Sequence, residues 1–228
     1  MIGTQNESSL HASLKEHYRR PGDLVEGRIG GYHIDLIQAE RLVEIQTQNF
    51  SSIKRKLADL LEGHNVQLVY PIVLRRDIVK VAPETGELLS TRKSPKKEDV
   101  YDLFAELVSI PHLILHPHLT VEAIFIKERE IRCDDGKGSW RRRGVSIVDR
   151  TLAEIVDTRS FASASDYLSL LPEDLPSPFT NKDLAAKAGI SRSKAQKTTY
   201  TFRKAGLLAE VGRKGNEILH ARNQDSAC

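Results

Sequence analysis

The segment "YHIDLIQAERLVEIQTQNF", residues 32–50, decides the fold of this chain. It contains two short runs of β-forming residues, 32–37 and 42–47, joined by four mainly polar residues, and this pattern predicts an antiparallel hairpin. A four-residue loop aligns Asp35 with Glu44 across the two strands. The hairpin therefore places two carboxylates side by side, where like charges are destabilising.

A third strand, residues 24–28, precedes the hairpin and is joined to it by a turn at Gly30-Gly31. Nine residues separate Glu26 from Asp35, and nine separate Asp35 from Glu44. The same register therefore aligns all three acids in a row on one face of the sheet. Because side chains alternate along a strand, we expect the apolar residues between the acids to face the core: Ile34, Leu36, Val43 and Ile45.

Two interpretations of this row of acids are open. The acids can lie on an exposed surface, where water screens their repulsion. Alternatively, they bind a divalent cation, and hard oxygen ligands favour Mg²⁺ or Mn²⁺. In the second case Gln46 lies beside Glu44 and can orient a water molecule or a phosphate oxygen, while the next helix supplies Lys54 and Lys56 as nearby cations.

The elements around the hairpin predict an α/β fold. A helix capped by Ser8 or Ser9 precedes the three strands, and a second helix, capped by Ser51 or Ser52, follows them. The apolar run 66–73 indicates a strand that is buried on both faces and parallel to the second strand of the hairpin. Farther along we expect a hairpin at 77–82 and 87–92, a helix at 99–108, a strand at 120–132, a strand or helix start at 151–156 and a helix at 163–171.

The acids and the order of elements resemble the PD-(D/E)XK nuclease superfamily. Its signature is an acid at the end of one strand and a D/E-x-K tripeptide on the next, and Asp35 and Glu44-Ile45-Gln46 occupy these positions here. Helix, three-stranded meander, helix and parallel strand over residues 9–73 also follow the family's core order. The resemblance implies a restriction-endonuclease-like mixed sheet and metal-dependent phosphodiester hydrolysis. It assigns the metal to Asp35, Glu44 and Glu26, and adds Gln46 and Lys54 to the catalytic set.

Gln46 stands where the family has a lysine, and some restriction endonucleases of the superfamily also carry Glu-x-Gln. Three alternatives follow: Gln46 positions the attacking water, Lys54 or Lys56 substitutes for the lysine, or the core binds nucleic acid without cutting it. The chain also resembles an uncharacterised bacterial family with an LH-x-x-LK motif, an EIQT motif and a distal helix-turn-helix. These motifs lie here at residues 10–15 and 44–47, and this second resemblance implies no function.

The C-terminal part of the chain is strongly basic. Residues 177–228 contain ten Lys and Arg and four Asp and Glu, a charge of +6, whereas the rest has 24 basic and 27 acidic residues, a charge of −3. Within it, residues 179–223 predict two helices, capped by Thr180 and Ser191, and two short strands around a basic turn. This order of elements resembles a winged helix-turn-helix.

A segment with three prolines, residues 172–179, marks the predicted boundary between a nuclease-like domain (1–172) and a winged-helix domain (173–228). In winged helix-turn-helix domains the second helix enters the major groove of DNA and the wing contacts the backbone. The alternative is a winged helix that serves protein contacts or dimerisation. The resemblance implies DNA-binding residues on the second helix and at the wing tip: Arg192, Lys194, Gln196, Lys197, Arg213 and Lys214.

The loop "SWRRRG", residues 139–144, is a further candidate contact with nucleic acid. Trp140 can stack on a base while Arg141, Arg142 and Arg143 bind phosphates, and a solvated loop is the alternative. The three histidines of "IPHLILHPHL" lack the spacing of a metal site: His112, His116 and His118.

The composition, with 39% hydrophobic and 29% charged residues, is typical of soluble globular proteins. No apolar run is long enough to cross a bilayer, and no signal peptide is expected. We expect a cytoplasmic protein in which Cys133 and Cys228 are free thiols. DNA is the expected partner, with RNA and a second copy of the chain as alternatives. The leading hypothesis is a metal-dependent DNA endonuclease, and its rival is a non-catalytic DNA-binding or regulatory protein with a degenerate nuclease core.

Overall fold

A mixed β-sheet of seven strands forms the centre of the structure, a computed structural model that describes residues 8–223. The order across the sheet is β1-β2-β3-β4-β6-β7, and β5 pairs with the C-terminal half of β4. β3, β4 and β6 are parallel, and the other neighbours are antiparallel. The strands are β1 (Leu24–Ile29), β2 (Tyr32–Ile37), β3 (Leu42–Ile45), β4 (Val66–Val81), β5 (Leu88–Lys93), β6 (Leu119–Asp134) and β7 (Val145–Phe161).

Helices flank this sheet, and a separate two-stranded sheet follows it, so the predicted α/β class with a mixed sheet is confirmed. No helix in the described part of the chain is long and apolar enough to cross a membrane. The α-helices are α1 (Ser9–Tyr18), α2 (Phe50–Leu61), α3 (Phe104–Leu107), α4 (Ala164–Leu168), α5 (Asn181–Ala188) and α6 (Arg192–Lys204). The 3-10 turns are Val100–Leu103 and Trp140–Arg142, and the second sheet is β8 (Leu208–Lys214) and β9 (Glu217–Arg222).

The first eight residues of β4 are all buried, as the apolar run 66–73 predicts. A strand buried on both faces requires a layer of side chains on each side of the sheet. On one side α1 contributes Leu10 and Leu14, which pack with Leu36, Val43 and Ile45. On the other side α2 and α3 contribute the second and larger cluster, which includes Phe50, Leu57 and Phe104.

The registers of the first three strands agree with the sequence-based predictions. Leu36 pairs with Val43 across β2 and β3, and Arg28 pairs with His33 across β1 and β2. Gly30 and Gly31 both adopt positive φ angles, 56° and 84°, and this conformation joins strands in a tight two-residue turn. One orientation differs from the prediction: Ile34 packs in the cluster with α2, not with Leu36, Val43 and Ile45.

Several element boundaries also differ from the predictions. α2 begins at Phe50 after Asn49, not after Ser51 or Ser52, and the Phe50 N–H donates to the Glu106 carboxylate of α3 over 2.9 Å. The predicted helix 99–108 is a 3-10 turn followed by the short α3. The predicted strands 66–73 and 77–82 form one strand, β4, and the ambiguous segment 151–156 lies within β7.

The outer parts of β4, β6 and β7 extend beyond the layered core and contain few buried side chains. These are Ile78, Cys133, Glu128 and Glu130. Burial would raise the pKa of Glu130, but hydrogen bonding by Arg132 and the charges of Arg76, Arg132 and Arg150 outweigh it and hold this pKa below its usual value. Arg76 also donates to Glu128. Cys133 is a buried free thiol, as predicted, whereas Cys228 lies outside the described residues.

The C-terminal elements form as the sequence predicts. Thr180 and Ser191 cap α5 and α6, and Gly189 ends α5 with a left-handed conformation. Phe202 of α6 packs against Phe104, with ring centroids 5.2 Å apart. One buried cluster therefore extends across the boundary predicted at 172–179, and the division into two domains stays a prediction.

We expect Phe202→Ala to destabilise the whole protein by ~3–5 kcal/mol, because this side chain of α6 is fully buried against residues 8–171 (the body). Urea unfolding followed by far-UV circular dichroism measures this loss. Tyr200→Ala, an exposed position on the same helix, serves as the control. Two separate transitions, of which only one shifts, would contradict a shared core.

Candidate functional site

A cavity of about 450 Å³ opens where β2 and β3 separate. Side chains from α1, β1, β2, β3 and α2 line it, so both layers of the fold contribute. Its lining consists of Ser8, His11, Lys15, Glu26, His33, Ile34, Asp35, Glu44, Thr47 and Lys56.

Asp35 and Glu44 lie next to the last paired residues of β2 and β3, in the predicted alignment. The pairs Leu36–Val43 and Ile37–Leu42 set this register. The Asp35 Oδ2 atom accepts a hydrogen bond from the Ile45 N–H over 2.8 Å. The Asp35 carboxylate is thus fixed against the backbone of β3, beside Glu44.

His11 of α1 contacts the same two strands. Its Nε2 atom lies 3.0 Å from the Ile45 carbonyl oxygen and 3.4 Å from the Asp35 Oδ2 atom. The Ser8 side chain caps α1 by accepting from the His11 N–H. The first turn of α1 is therefore held over the ends of β2 and β3.

Lys56 of α2 neutralises Glu44 from the other layer. The Lys56 Nζ and Glu44 Oε1 atoms are 2.5 Å apart, and only 16% and 11% of the two side chains are exposed. The second carboxylate oxygen, Glu44 Oε2, is buried and has no hydrogen-bond partner among the described residues. Glu44 therefore keeps one acceptor atom that the described chain does not satisfy.

The two carboxylates have pKa values displaced in opposite directions. Burial would raise the pKa of Asp35, but the hydrogen bond and charge of His11, the Ile45 N–H and the charge of Lys15 outweigh it and lower this pKa. Burial, and then the charge of Asp35, raise the pKa of Glu44 despite Lys56. Carboxyl pairs with separated pKa values are typical of acid–base and metal sites.

Glu26 does not join the other two acids closely. The pairs Val25–Leu36 and Gly27–Ile34 place it level with Asp35, but its backbone has a φ of 54°, in the left-handed region. Its carboxylate binds Lys15, with Nζ and Oε1 2.6 Å apart. No group of three or more His, Cys, Asp or Glu side chains that could hold a metal occurs between residues 8 and 223.

Gln46 and Lys54, which the nuclease resemblance adds to the catalytic set, are not among the residues that line the cavity. The Gln46 N–H continues the ladder to the Val69 carbonyl oxygen, and its side-chain amide donates to the Gln48 carbonyl oxygen. Residues two apart on a helix point roughly 200° apart, so only one of Lys54 and Lys56 can face the acids. The structure places Lys56 there, and Lys54 is exposed.

The sequence analysis did not identify His11 or Lys15 as members of this site. They lie four residues apart on α1 and therefore on the same face of the helix. The LH-x-x-LK motif contains both residues, and this polar pair beside the apolar face of α1 was the available signal.

Two of the three proposed DNA-binding cations of α6 take part in ion pairs within the chain. Lys194 lies 2.7 Å from both Asp99 and Asp102 of the body. Arg192 lies 2.5 Å from Glu217 of β9. These two side chains would have to exchange acidic partners for phosphates in order to bind DNA.

The other proposed DNA contacts are more exposed and belong to separate surfaces. Arg213 and Lys214 are exposed on the β8–β9 hairpin. Trp140 is 83% exposed in the β6–β7 loop, where Arg141 lies over its ring and the neighbouring arginines are also exposed: Arg142 and Arg143. The β6–β7 loop is also far from the carboxylate cavity. Across the sheet, Glu44 is level with Val121 of β6, and thirteen residues, or roughly 40 Å of strand, separate Val121 from Asp134 at the start of the loop.

We expect Lys56→Met to destabilise the protein at neutral pH by up to ~3 kcal/mol, because the buried Glu44 carboxylate then lacks its neutralising partner and still lies beside the charge of Asp35. Glu44 has a raised pKa, so its charged form costs stability above that pKa, and protonation relieves the cost as the pH falls through it. The loss should therefore shrink from pH 7 towards pH 4.5 in urea unfolding. Lys54→Met, on the exposed side of α2, is the matched control and should change stability little. A loss that is equal at both pH values would contradict this account of the charges.

Comparison with known proteins relates this chain to one domain family and to a protein of Treponema pallidum. Residues 8–162 match the family described as domain of unknown function DUF8091. An uncharacterized protein of Treponema pallidum (strain Nichols) is 32% identical over 185 residues, which are 81% of this chain and 73% of that protein. No solved structure matches. Since the family match covers more than half of the sequence, the chain belongs to the DUF8091 family.

Proposed function

We propose that this protein is a metal-dependent nuclease that hydrolyses DNA phosphodiester bonds, with RNA as an alternative substrate. The observation that carries the proposal is the Asp35–Glu44 pair, held at the separating ends of two strands with a lysine from the next helix. Under this proposal the body has a restriction-endonuclease-like core and the elements from α5 to β9 form a winged helix.

The donor set fits Mg²⁺ or Mn²⁺. Mg²⁺ usually binds one or two protein carboxylates and completes its shell with water and substrate phosphate, so a third acid is not required. Glu44 Oε2, which is buried and accepts no hydrogen bond from residues 8–223, is a hard oxygen donor of the kind that these cations prefer. A cation bound by Asp35 and Glu44 would polarise the scissile phosphate and lower the pKa of a bound water.

The lysine contacts support the second of the three alternatives, in which a lysine of α2 substitutes for the family's lysine at position 46. Lys56 reaches Glu44 from α2, whereas the Gln46 amide bonds to the Gln48 carbonyl oxygen. Lys56 is therefore the residue we assign to the water and phosphate side of the site. His11 holds Asp35 and the end of β3 in position, and Lys15 holds Glu26.

A second candidate function, DNA binding or regulation without cleavage, is favoured by one specific observation. The Lys56 ammonium already neutralises Glu44, and a buried ion pair of this kind can serve stability alone. In that case the cavity is a relic of a nuclease site, and the basic C-terminal surface carries the function.

We expect Asp35→Asn and Glu44→Gln to abolish cleavage and Lys56→Ala to lower it by ~100-fold or more, because each removes a group at the reacting phosphate. Lys54→Ala is the matched control and should retain activity. The assay incubates the full chain with Mg²⁺ or Mn²⁺ and supercoiled plasmid, linear duplex, single-stranded DNA or RNA, with a chelator as the blank. Circular dichroism of each variant verifies that it is folded.

Cleavage that survives in both carboxylate variants would refute the site. A wild type that cuts none of the four substrates would favour the non-catalytic candidate, provided that it binds DNA.

The C-terminal surface gives a separate expectation about DNA. If Arg213 and Lys214 contact phosphates, replacing both by alanine should reduce the slope of log affinity against log salt by roughly 1.8, because each neutralised phosphate contributes ~0.9. Fluorescence anisotropy of the full chain with labelled duplex and a chelator measures this slope. Lys187→Ala, an α5 cation paired with Asp174, is the control. An unchanged slope would leave protein contact as the role of the hairpin.

A further inference from the structure

One acid of the carboxylate cavity has a basic partner that α1 supplies. The Lys15 Nζ and Glu26 Oε1 atoms are 2.6 Å apart, and 10% of the Lys15 side chain and 45% of the Glu26 side chain are exposed. Leu14, the neighbour of Lys15 in the chain, is fully buried, so the packing of α1 fixes the position of the ammonium. Lys15 is thus a structural part of the cavity wall.

The charge of Lys15 also acts on a second acid. Burial would raise the pKa of Asp35, and the charge of Lys15 is one of the effects, after those of His11, that lower it. The register of β1 and β2 places Glu26 level with Asp35. An ammonium that interacts with both carboxylates has the electrostatic role that a second metal ion would have at this position.

A second divalent cation would need the carboxylate that Lys15 binds. Two-metal sites of phosphate chemistry hold their cations ~3.5–4 Å apart, and each cation needs oxygen ligands. The proposed cation takes Asp35 and Glu44. Of the remaining described residues that line the cavity, Glu26 alone is an acid. The second position therefore depends on Glu26, which the ammonium already neutralises.

The formal charge of the cavity favours one cation over two. Its described lining residues include three carboxylates and the ammonium groups of Lys15 and Lys56, which leaves a charge of −1 when the histidines are counted as neutral. One divalent cation changes this charge to +1, and the negative charge of a phosphodiester then balances it. Two divalent cations would give +3 in a partly buried site, where uncompensated charge is costly.

We propose that the Lys15 ammonium takes the place of a second cation, so that the site binds one divalent ion through Asp35 and Glu44 and none through Glu26. The inference rests on the proposed function, from which it takes the metal centre. It removes Glu26 from the metal ligands that the nuclease resemblance implies, and it makes Lys15 the residue that sets the number of bound ions.

The test counts the Mn²⁺ ions bound to the full chain without nucleic acid, by equilibrium dialysis, and records their electron paramagnetic resonance. Asp35→Asn combined with Glu44→Gln gives the background of adventitious ions. We expect the wild type to bind one ion above this background, with the spectrum of an isolated Mn²⁺. Lys15→Met keeps the length of the side chain and removes its charge. It should bind two ions with a spin-coupled spectrum, because Glu26 is then available and the cavity charge is −2.

Two further variants localise the second ion. Lys15→Met combined with Glu26→Gln restores the cavity charge to −1 and removes the freed carboxylate, so the count should return to one. Lys54→Met removes an exposed cation that does not line the cavity and should leave the count at one. Circular dichroism verifies that each variant is folded, and Lys15→Gln, which keeps a polar side chain, replaces Lys15→Met if that variant does not fold.

The counts separate this inference from the proposed function. Two ions above background in the wild type would overturn the inference and leave a two-metal nuclease. One ion in both the wild type and the Lys15 variant would overturn it as well, since Lys15 would then not exclude a second ion. No ion above background in the wild type would refute the metal centre of the proposed function itself.

Discussion

Eight consecutive buried residues in β4 require a layer of side chains on each face of the sheet, and the other elements are placed by that requirement. α1 covers one face, and α2 and α3 cover the other, with α6 packed against α3. The two layers meet at the ends of β2 and β3. Each layer can then extend a basic side chain, His11 or Lys56, over the same pair of carboxylates. The site is thus a product of the layering and not of any single motif.

The sequence predicts those features that depend on neighbouring residues. The alignment of Asp35 with Glu44 follows from the loop length, and the caps Ser8, Thr180 and Ser191 follow from local hydrogen bonds. The start of α2 does not follow from neighbouring residues, because the N–H of its first residue, Phe50, donates to the carboxylate of Glu106, 56 residues away. Contacts of that kind exist only once the layers have packed, and no periodicity in the chain encodes them.

The same distinction applies to the candidate site. The acids could be predicted because one hairpin carries both, but the choice between Lys54 and Lys56 depends on how α2 is rotated against the sheet. The role of His11 depends on where α1 docks. The contacts of Lys194 with Asp99 and Asp102 join segments about ninety residues apart, and local sequence patterns do not predict them.

The outer parts of β4, β6 and β7, where Glu128 and Glu130 pair with arginines, are held together differently from the layered core. Two of its four buried side chains are charged, so its order relies on ion pairs more than on apolar contact. Glu130 has a lowered pKa, and its contribution to stability is lost as the pH falls through that value. We therefore expect acid to weaken the ion pairs of this outer region, whereas the apolar contacts of the layered core do not depend on them.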